Sequence, residues 1–355
     1  MKKFIWKVVA FFLIIALIFI PFNVILDPYN VFHPDHLVNN GVEPNKNYIK
    51  CRNVLKNPDK FDSFLFGSSR VGFMDVTRMN DGTYYDMMYS EGLPAEHLEN
   101  LKTFIDKGII PKNVVIGLDD ITYFVDPSLH DDILYRAPFP WSGSVFDKAG
   151  FYMKYFDLLT TVKSIETIKE HDAWDTGFSE RLLNRGTENL DIESQFDAAN
   201  NKPYWADYYM PREEVFDEIQ EIIDLCNENN IHLTFFTNPL FGYTYTQGIE
   251  NGYLVFLDRL ADITDYYNFS GYNNLTLDSS NYYENSHYTR VVGDKMIDVL
   301  FYDQNDQELL EQGFGYHVTK DNKEELLTIL NNQAINFGIE VNSYKDTLNK
   351  PVEEE

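Results

Sequence analysis

The sequence predicts an α/β protein with a mostly parallel central sheet, preceded by one N-terminal transmembrane helix. Three observations predict it. A strand, helix, strand succession between Phe61 and Leu118 is the βαβ signature of a parallel sheet. An apolar stretch from Val8 to Leu26, broken only by Pro21 and Asn23, follows Lys2, Lys3 and Lys7. Its length is close to the roughly 20 residues that cross a bilayer. The chain has 355 residues, 44% hydrophobic and 15% aromatic, which is enough to bury a sizeable core.

The N-terminal stretch, residues 1–26, reads as a retained signal-anchor, because neither a small-x-small cleavage pattern nor a lipobox cysteine follows it. A cleaved signal peptide is the alternative. By the positive-inside rule the lysine end stays cytoplasmic and the chain after Asp27 is exported, giving a single-pass membrane protein with its folded domain extracytoplasmic. Residues 27–60 are polar and turn-rich and read as a stalk or linker.

The folded region is expected over 61–303. Phe61 to Ser68 is an apolar run ending in Gly-Ser-Ser, a buried strand and a tight turn. Tyr84 to Tyr89 is a second short strand, and Pro94 suits the first turn of a helix because its missing N–H would be orphaned there anyway. That helix carries Leu98, Leu101 and Ile105 on one face and stops at Gly108. Asn113 to Leu118, β-branched and uncharged, is the third strand.

About 125–210 reads as a variable excursion, with an amphipathic helical stretch from Phe146 to Ile168 and a polar surface segment from Trp174 to Trp205. Order returns with a helical stripe of Val215, Phe216, Ile219, Ile222, Ile223 and Cys226, then a strand from Ile231 to Thr237. Tyr253 to Ile263 is a helix, Asp278 to His287 a polar loop, and Val291, Val292, Met296, Ile297 and Leu300 mark a closing helix. Residues 304–355 read as a C-terminal extension, ending in an acidic tail from Glu340.

Composition excludes some functions. Lys and Arg number 29 against 56 Asp and Glu, for a net charge of −27, with no basic cluster beyond the first seven residues. A nucleic-acid partner is therefore excluded, since phosphate binding needs concentrated cations. Cys51 and Cys226 have no zinc-type spacing. No EF-hand loop or HExxH motif is present, so the carboxylates read as solvated surface, and neither metal nor cofactor is expected.

A serine nucleophile needs a base, a group orienting that base, and N–H donors where the oxyanion forms. Ser69, in Gly67-Ser68-Ser69-Arg70, sits at the carboxyl end of the first strand, where open α/β sheets place ligands. Glu284-Asn285-Ser286-His287 puts a carboxylate three residues before a histidine on a short loop, within reach of the imidazole Nδ1–H. Each element has a plainer reading: an ordinary strand-to-helix turn, and a loop histidine held by its neighbours. Arg70 either contacts an anionic acceptor or pairs with a nearby carboxylate.

Together these residues resemble the SGNH (GDSL-type) hydrolase superfamily, over about Phe61 to Phe301 and in the expected order. Ser69 falls on the serine of the first block, with Ser68 in place of its aspartate; His287 falls on the histidine of the last block, with Glu284 where aspartate is usual. Gly92 in YSEGLP falls on the second-block glycine, whose N–H would join that of Ser69 in an oxyanion hole. Asp119, in Gly117-Leu118-Asp119-Asp120, stands where the family has its oxyanion asparagine. A carboxylate there would repel developing negative charge. Asp119 therefore points away, is protonated in a dry pocket, or marks a slow or inactive copy.

The resemblance implies a three-layer αβα, flavodoxin-like sandwich and a Ser69-His287-Glu284 triad. The closest likeness is to the membrane-anchored branch of D-alanyl-lipoteichoic acid (DltD-type) and alginate O-acetylation proteins, in which an acidic residue precedes a pair like His287-Tyr288. That branch implies acyl transfer or ester hydrolysis on a cell-envelope polysaccharide or teichoic-type polymer, with a multi-pass membrane O-acyltransferase as possible partner. The alternative is a catalytically silent binding or scaffold subunit.

Overall fold

The computed structural model describes residues 2–170, 178–184, 211–282 and 284–339. The chain divides into two compact units, Met1–Lys56 with Ser128–Asn184, and Asn57–Pro127 with Arg185–Glu355.

The first unit begins with helix α1 (Lys2–Leu26). Among the described residues no helix is long and apolar enough to cross a membrane, which overturns the transmembrane helix expected over 1–26 and leaves the single-pass location drawn from it without support. The physical reason is visible in the sequence. Lys7 and Pro21 leave only thirteen uninterrupted apolar residues, Val8 to Ile20. At 1.5 Å per residue they span about 20 Å, against a hydrocarbon core of about 30 Å. The last turn is committed to protein contacts instead: Asn23 is buried and its Nδ2 donates to Tyr155 O at 3.3 Å.

Nor does the chain from Asp27 to Lys56 form a stalk. The Asp27 carboxylate accepts the N–H groups of Val31, Phe32 and His33 at 2.9, 3.0 and 2.7 Å, folding the segment back on itself. Helix α2 (Lys46–Lys56) follows. Asn45 Nδ2 donates to Ala137 O at 2.8 Å and to Tyr155 Oη at 2.7 Å. These bonds tie the segment to the region of α5 (Val145–Lys154), α6 (Leu158–Glu170) and α7 (Phe178–Asn184) through an aromatic core that includes Tyr48, Phe139, Phe151 and Tyr155. Most of the Trp174–Trp205 excursion and the tail from Glu340 lie outside the described residues.

The second unit carries a six-stranded mixed sheet. Its strands are β1 (Ser63–Phe66), β2 (Tyr84–Asp86), β3 (Asn113–Leu118), β4 (His232–Thr237), β5 (Tyr266–Asn268) and β6 (Tyr316–Val318). The order is β2-β1-β3-β4-β5-β6, with every pair parallel except β5 and β6. The sheet therefore continues past residue 303, and the C-terminal extension supplies its antiparallel edge.

Successive side chains of β1 point to opposite faces. Phe64 meets Phe104 of α3 (Pro94–Asp106) at a ring separation of 5.0 Å. Leu65 joins Val115, Phe236 and, from α11 (Arg290–Tyr302), Val292 and Met296. Helices thus cover both faces. The chain leaves β1 toward β2 on one side and leaves β3 toward β4 on the other, so the connections diverge between β1 and β3 and open a crevice at their carboxyl ends.

Candidate active site

Gly67 follows β1 at φ +154°, and a Cβ there would lie 2.6 Å from Val71 Cγ1 and 3.1 Å from Gly117 O. Glycine alone lets the turn close against β3. Ser68 then caps the 3-10 turn Ser69–Phe73, and Ser69 occupies its first position, where the N–H has no intrahelical acceptor.

The second half of the site is a pinched loop. An antiparallel bridge joins Tyr282 to Tyr288, and Thr289 N–H donates to Asn281 O at 2.8 Å. Both tyrosines are buried; Tyr282 Oη donates to Pro239 O at 3.0 Å and Tyr288 Oη to Asn238 Oδ1 at 3.1 Å. Thr244 of α9 (Gly242–Glu250) donates to Asn285 O at 2.5 Å. The loop so held presents Glu284 and His287.

The two halves meet. His287 Nε2 lies 2.6 Å from Ser69 Oγ, across 218 residues of sequence, and His287 Nδ1 is hydrogen-bonded to Glu284 Oε1. Glu284 Oε1 also accepts Ser286 N–H at 3.1 Å. Burial pushes the Glu284 carboxyl up, but the His287 and Ser286 hydrogen bonds and the Arg70 charge outweigh it, leaving the group below its ordinary value. An ionised carboxylate at Nδ1 fixes the tautomer with Nδ1–H donating, so the Nε2 lone pair faces the serine hydroxyl.

Arg70 points the other way, into the protein. It is 5% exposed; NH1 pairs with Asp119 Oδ2 at 2.8 Å and Asp120 Oδ1 at 3.1 Å, while Nε and NH2 donate to Ser286 O at 2.9 Å and Ser286 Oγ at 3.2 Å. Of its two sequence readings, pairing with carboxylates is the one present. Burial lowers its pKa, but Asp119 and then Asp120 raise it further, so the guanidinium stays charged. Burial pushes Asp120 up to about 6, opposed by Arg70 and reinforced by Asp119.

Asp119 N-caps α4 (Asp120–Phe124), and its backbone N–H donates to Thr122 Oγ1 at 3.1 Å. Its Oδ2 accepts from Ser68 Oγ at 2.7 Å and Asn238 Nδ2 at 3.4 Å besides pairing with Arg70. An ion-paired acceptor of this kind offers no donor to an oxyanion. Gly92 N–H is likewise spent on Tyr89 O at 3.2 Å, within its own turn. Glycine is required there for another reason: a Cβ would lie 2.5 Å from Gly67 O. Ser69, His287 and Glu284 therefore converge, whereas Asp119 and Gly92 serve the scaffold beneath them. Sequence reasoning missed Asn238, Ser286 and Asp120; for Asn238 and Asp120 the available signal was a polar residue at the carboxyl end of an apolar strand. Among the described residues no group of three or more His, Cys, Asp and Glu side chains is placed to hold a metal ion.

Behind the Gly92 turn lies a buried polar group. Tyr89 Oη donates to Glu96 Oε2 at 2.7 Å and sits 3.4 Å from His97 Nδ1. Burial lowers the His97 pKa to about 3. Between pH 6.5 and about 3 the unfolded chain therefore binds a proton that folded His97 refuses, so the stability is present above 6.5 and lost as pH falls. Urea unfolding of wild type and His97→Gln across pH 6.5 to 4 is expected to differ in slope by up to about 1.4 kcal/mol per pH unit, wild type being the more acid-sensitive. Parallel curves would refute the assignment.

No family model matches the chain, and no curated protein or solved structure is significantly similar to it.

Proposed function

We propose that this chain is a serine-dependent acyl-transfer enzyme, an esterase or O-acyltransferase. The observation that supports it is the relay from Glu284 through His287 to Ser69, closed by the 2.6 Å contact between Nε2 and Oγ. In this reading His287 Nε2 takes the Ser69 proton as Oγ attacks an acyl carbonyl. Collapse of the tetrahedral intermediate expels the alcohol, which takes that proton back, and leaves an acyl-serine. Water, or a sugar or polyol hydroxyl, then gives its proton to His287 as it attacks the acyl carbonyl, and His287 passes that proton to Ser69 Oγ as the acyl-serine bond breaks. The resemblance supplies the substrate class, acyl groups of an envelope polysaccharide or teichoic-type polymer, and a membrane O-acyltransferase as a partner. No membrane span is needed for this chemistry.

A second reading, a catalytically silent binding subunit, is favoured by the engagement of Asp119 and the Gly92 N–H elsewhere. A fluorophosphonate probe separates the two. Wild type is expected to label and Ser69→Ala not to; a wild-type protein that stays unlabelled, or a variant that labels equally, overturns the enzymatic reading. With an active protein, hydrolysis of a soluble acetyl ester distinguishes an esterase from a transferase that needs its polymer or partner.

A further inference from the structure

We propose that Arg70 is a positioning residue: it fastens the loop carrying Glu284 and His287 to the turn carrying Ser69, with Asp119 and Asp120 as its counter-charges. The role assigned to the triad rests on the acyl-transfer reading above; the clamp itself is a statement about geometry.

Arg70 follows the nucleophile directly in the chain, so its backbone and that of Ser69 move together. Its side chain spends two donors on Ser286, at the backbone carbonyl and the hydroxyl, and Ser286 lies between Glu284 and His287. A guanidinium presents its donors in a rigid fork, so two bonds to one residue fix orientation as well as distance. Ser286 N–H in turn donates to the Glu284 carboxylate, which leads from the clamp to the group that orients the imidazole.

A guanidinium this deeply buried needs counter-charge. Asp119 and Asp120 supply it from the carboxyl end of β3. Asp119 Oδ2 contacts the residues on both sides of the nucleophile, Ser68 Oγ at 2.7 Å and Arg70 NH1 at 2.8 Å. That double contact gives a physical reason for a carboxylate where the resembling family has an asparagine. An amide could accept the Ser68 hydrogen bond, but it could not neutralise Arg70.

The asparagine substitution is thus a decisive one. If residue 119 were an impaired oxyanion donor, Asp119→Asn would raise the rate; if it is a counter-charge, the same change lowers it. In the full chain, with a soluble acyl ester, Asp119→Asn is expected to lower kcat at least tenfold, with KM within about twofold. Arg70→Ala is expected to lower kcat by about 10²-fold, the scale of a misplacement of about 1 Å, and added guanidinium to restore part of it. Arg70→Lys keeps the charge but not the fork, and is expected to fall between wild type and Arg70→Ala. Hydrogen exchange of residues 284–288 supplies a readout independent of turnover, with faster exchange expected in Arg70→Ala and, should that variant not fold, in Arg70→Lys. A faster Asp119→Asn enzyme, or exchange over 284–288 unchanged by either Arg70 substitution, overturns the clamp. A wild-type protein without Ser69-dependent labelling overturns the acyl-transfer reading instead and leaves the exchange experiment to decide the clamp.

Discussion

His287→Ala is expected to lower kcat on a soluble acyl ester by about 10⁴- to 10⁶-fold, with KM changed by no more than a few-fold, and to cost nothing further once Ser69 is replaced. The reasoning starts from the proton. At neutral pH a serine hydroxyl is a poor nucleophile, and Nε2 of His287, 2.6 Å from Oγ, is the group in hydrogen-bond reach that accepts its proton as the new bond forms. Without the imidazole the attacking species is a neutral alcohol, and the leaving group departs without a proton. Without Ser69 the imidazole has nothing to activate. Each single substitution therefore removes the whole covalent route, so Ser69→Ala, His287→Ala and the double variant should share one residual rate. Losses that multiply would mean that the two side chains work independently, which the relay forbids. Substrate binding is expected to survive, because neither substitution alters the buried scaffold made by Arg70, Asp119 and Asn238.

The parts of this site that were legible in the sequence share a property: their geometry is local or strand-bound. A carboxylate three residues before a histidine can reach Nδ1 on almost any short loop, and a serine after an apolar strand must emerge at the sheet's carboxyl edge. The helices α3, α11 and α10 (Tyr253–Ile263) and the strands β1, β3 and β4 were legible for a similar reason, since each carries enough periodic or β-branched residues to declare its type.

The rest was set by partners far away in the chain. Arg70 meets one carboxylate 50 residues away, that one's neighbour in the chain, and a loop 216 residues away, and nothing in Gly-Ser-Ser-Arg distinguishes a clamp from a substrate contact. The role of Asp119 stayed open with it, because whether a carboxylate repels charge or balances it depends on the cation behind it. Strands β5 and β6, with three residues each, are too short to show a period of two. The N-terminal stretch misled for a different reason. Apolar composition was summed across Pro21 and Asn23, whereas Asn23 belongs to the packing of the first unit through Tyr155.

Glu284→Gln should cost about 10⁴-fold in kcat while leaving the fold and KM nearly intact, and the mechanism of that loss is specific. An ionised Glu284 only accepts, so it selects the imidazole tautomer whose proton is on Nδ1 and leaves Nε2 bare toward Ser69. A glutamine amide of the same shape can rotate to donate to Nδ1, and the hydrogen bond survives. The proton then sits on Nε2, facing a hydroxyl from which it can accept nothing. The substitution also removes the charge that stabilises the imidazolium during attack. The measurement is twofold: steady-state kinetics, and the ¹⁵N shifts of the His287 ring, which should report Nδ1–H in wild type and Nε2–H in Glu284→Gln. A variant that keeps the wild-type tautomer yet loses the rate would assign Glu284 to charge stabilisation alone. A variant that keeps both would remove the carboxylate from the mechanism. Because burial is outweighed by the hydrogen bonds to Glu284, its pKa lies below the ordinary carboxylate value. The carboxylate should therefore stay ionised as pH falls through that ordinary range, keeping an acceptor at Nδ1–H, and be neutralised only when pH falls through the lowered value.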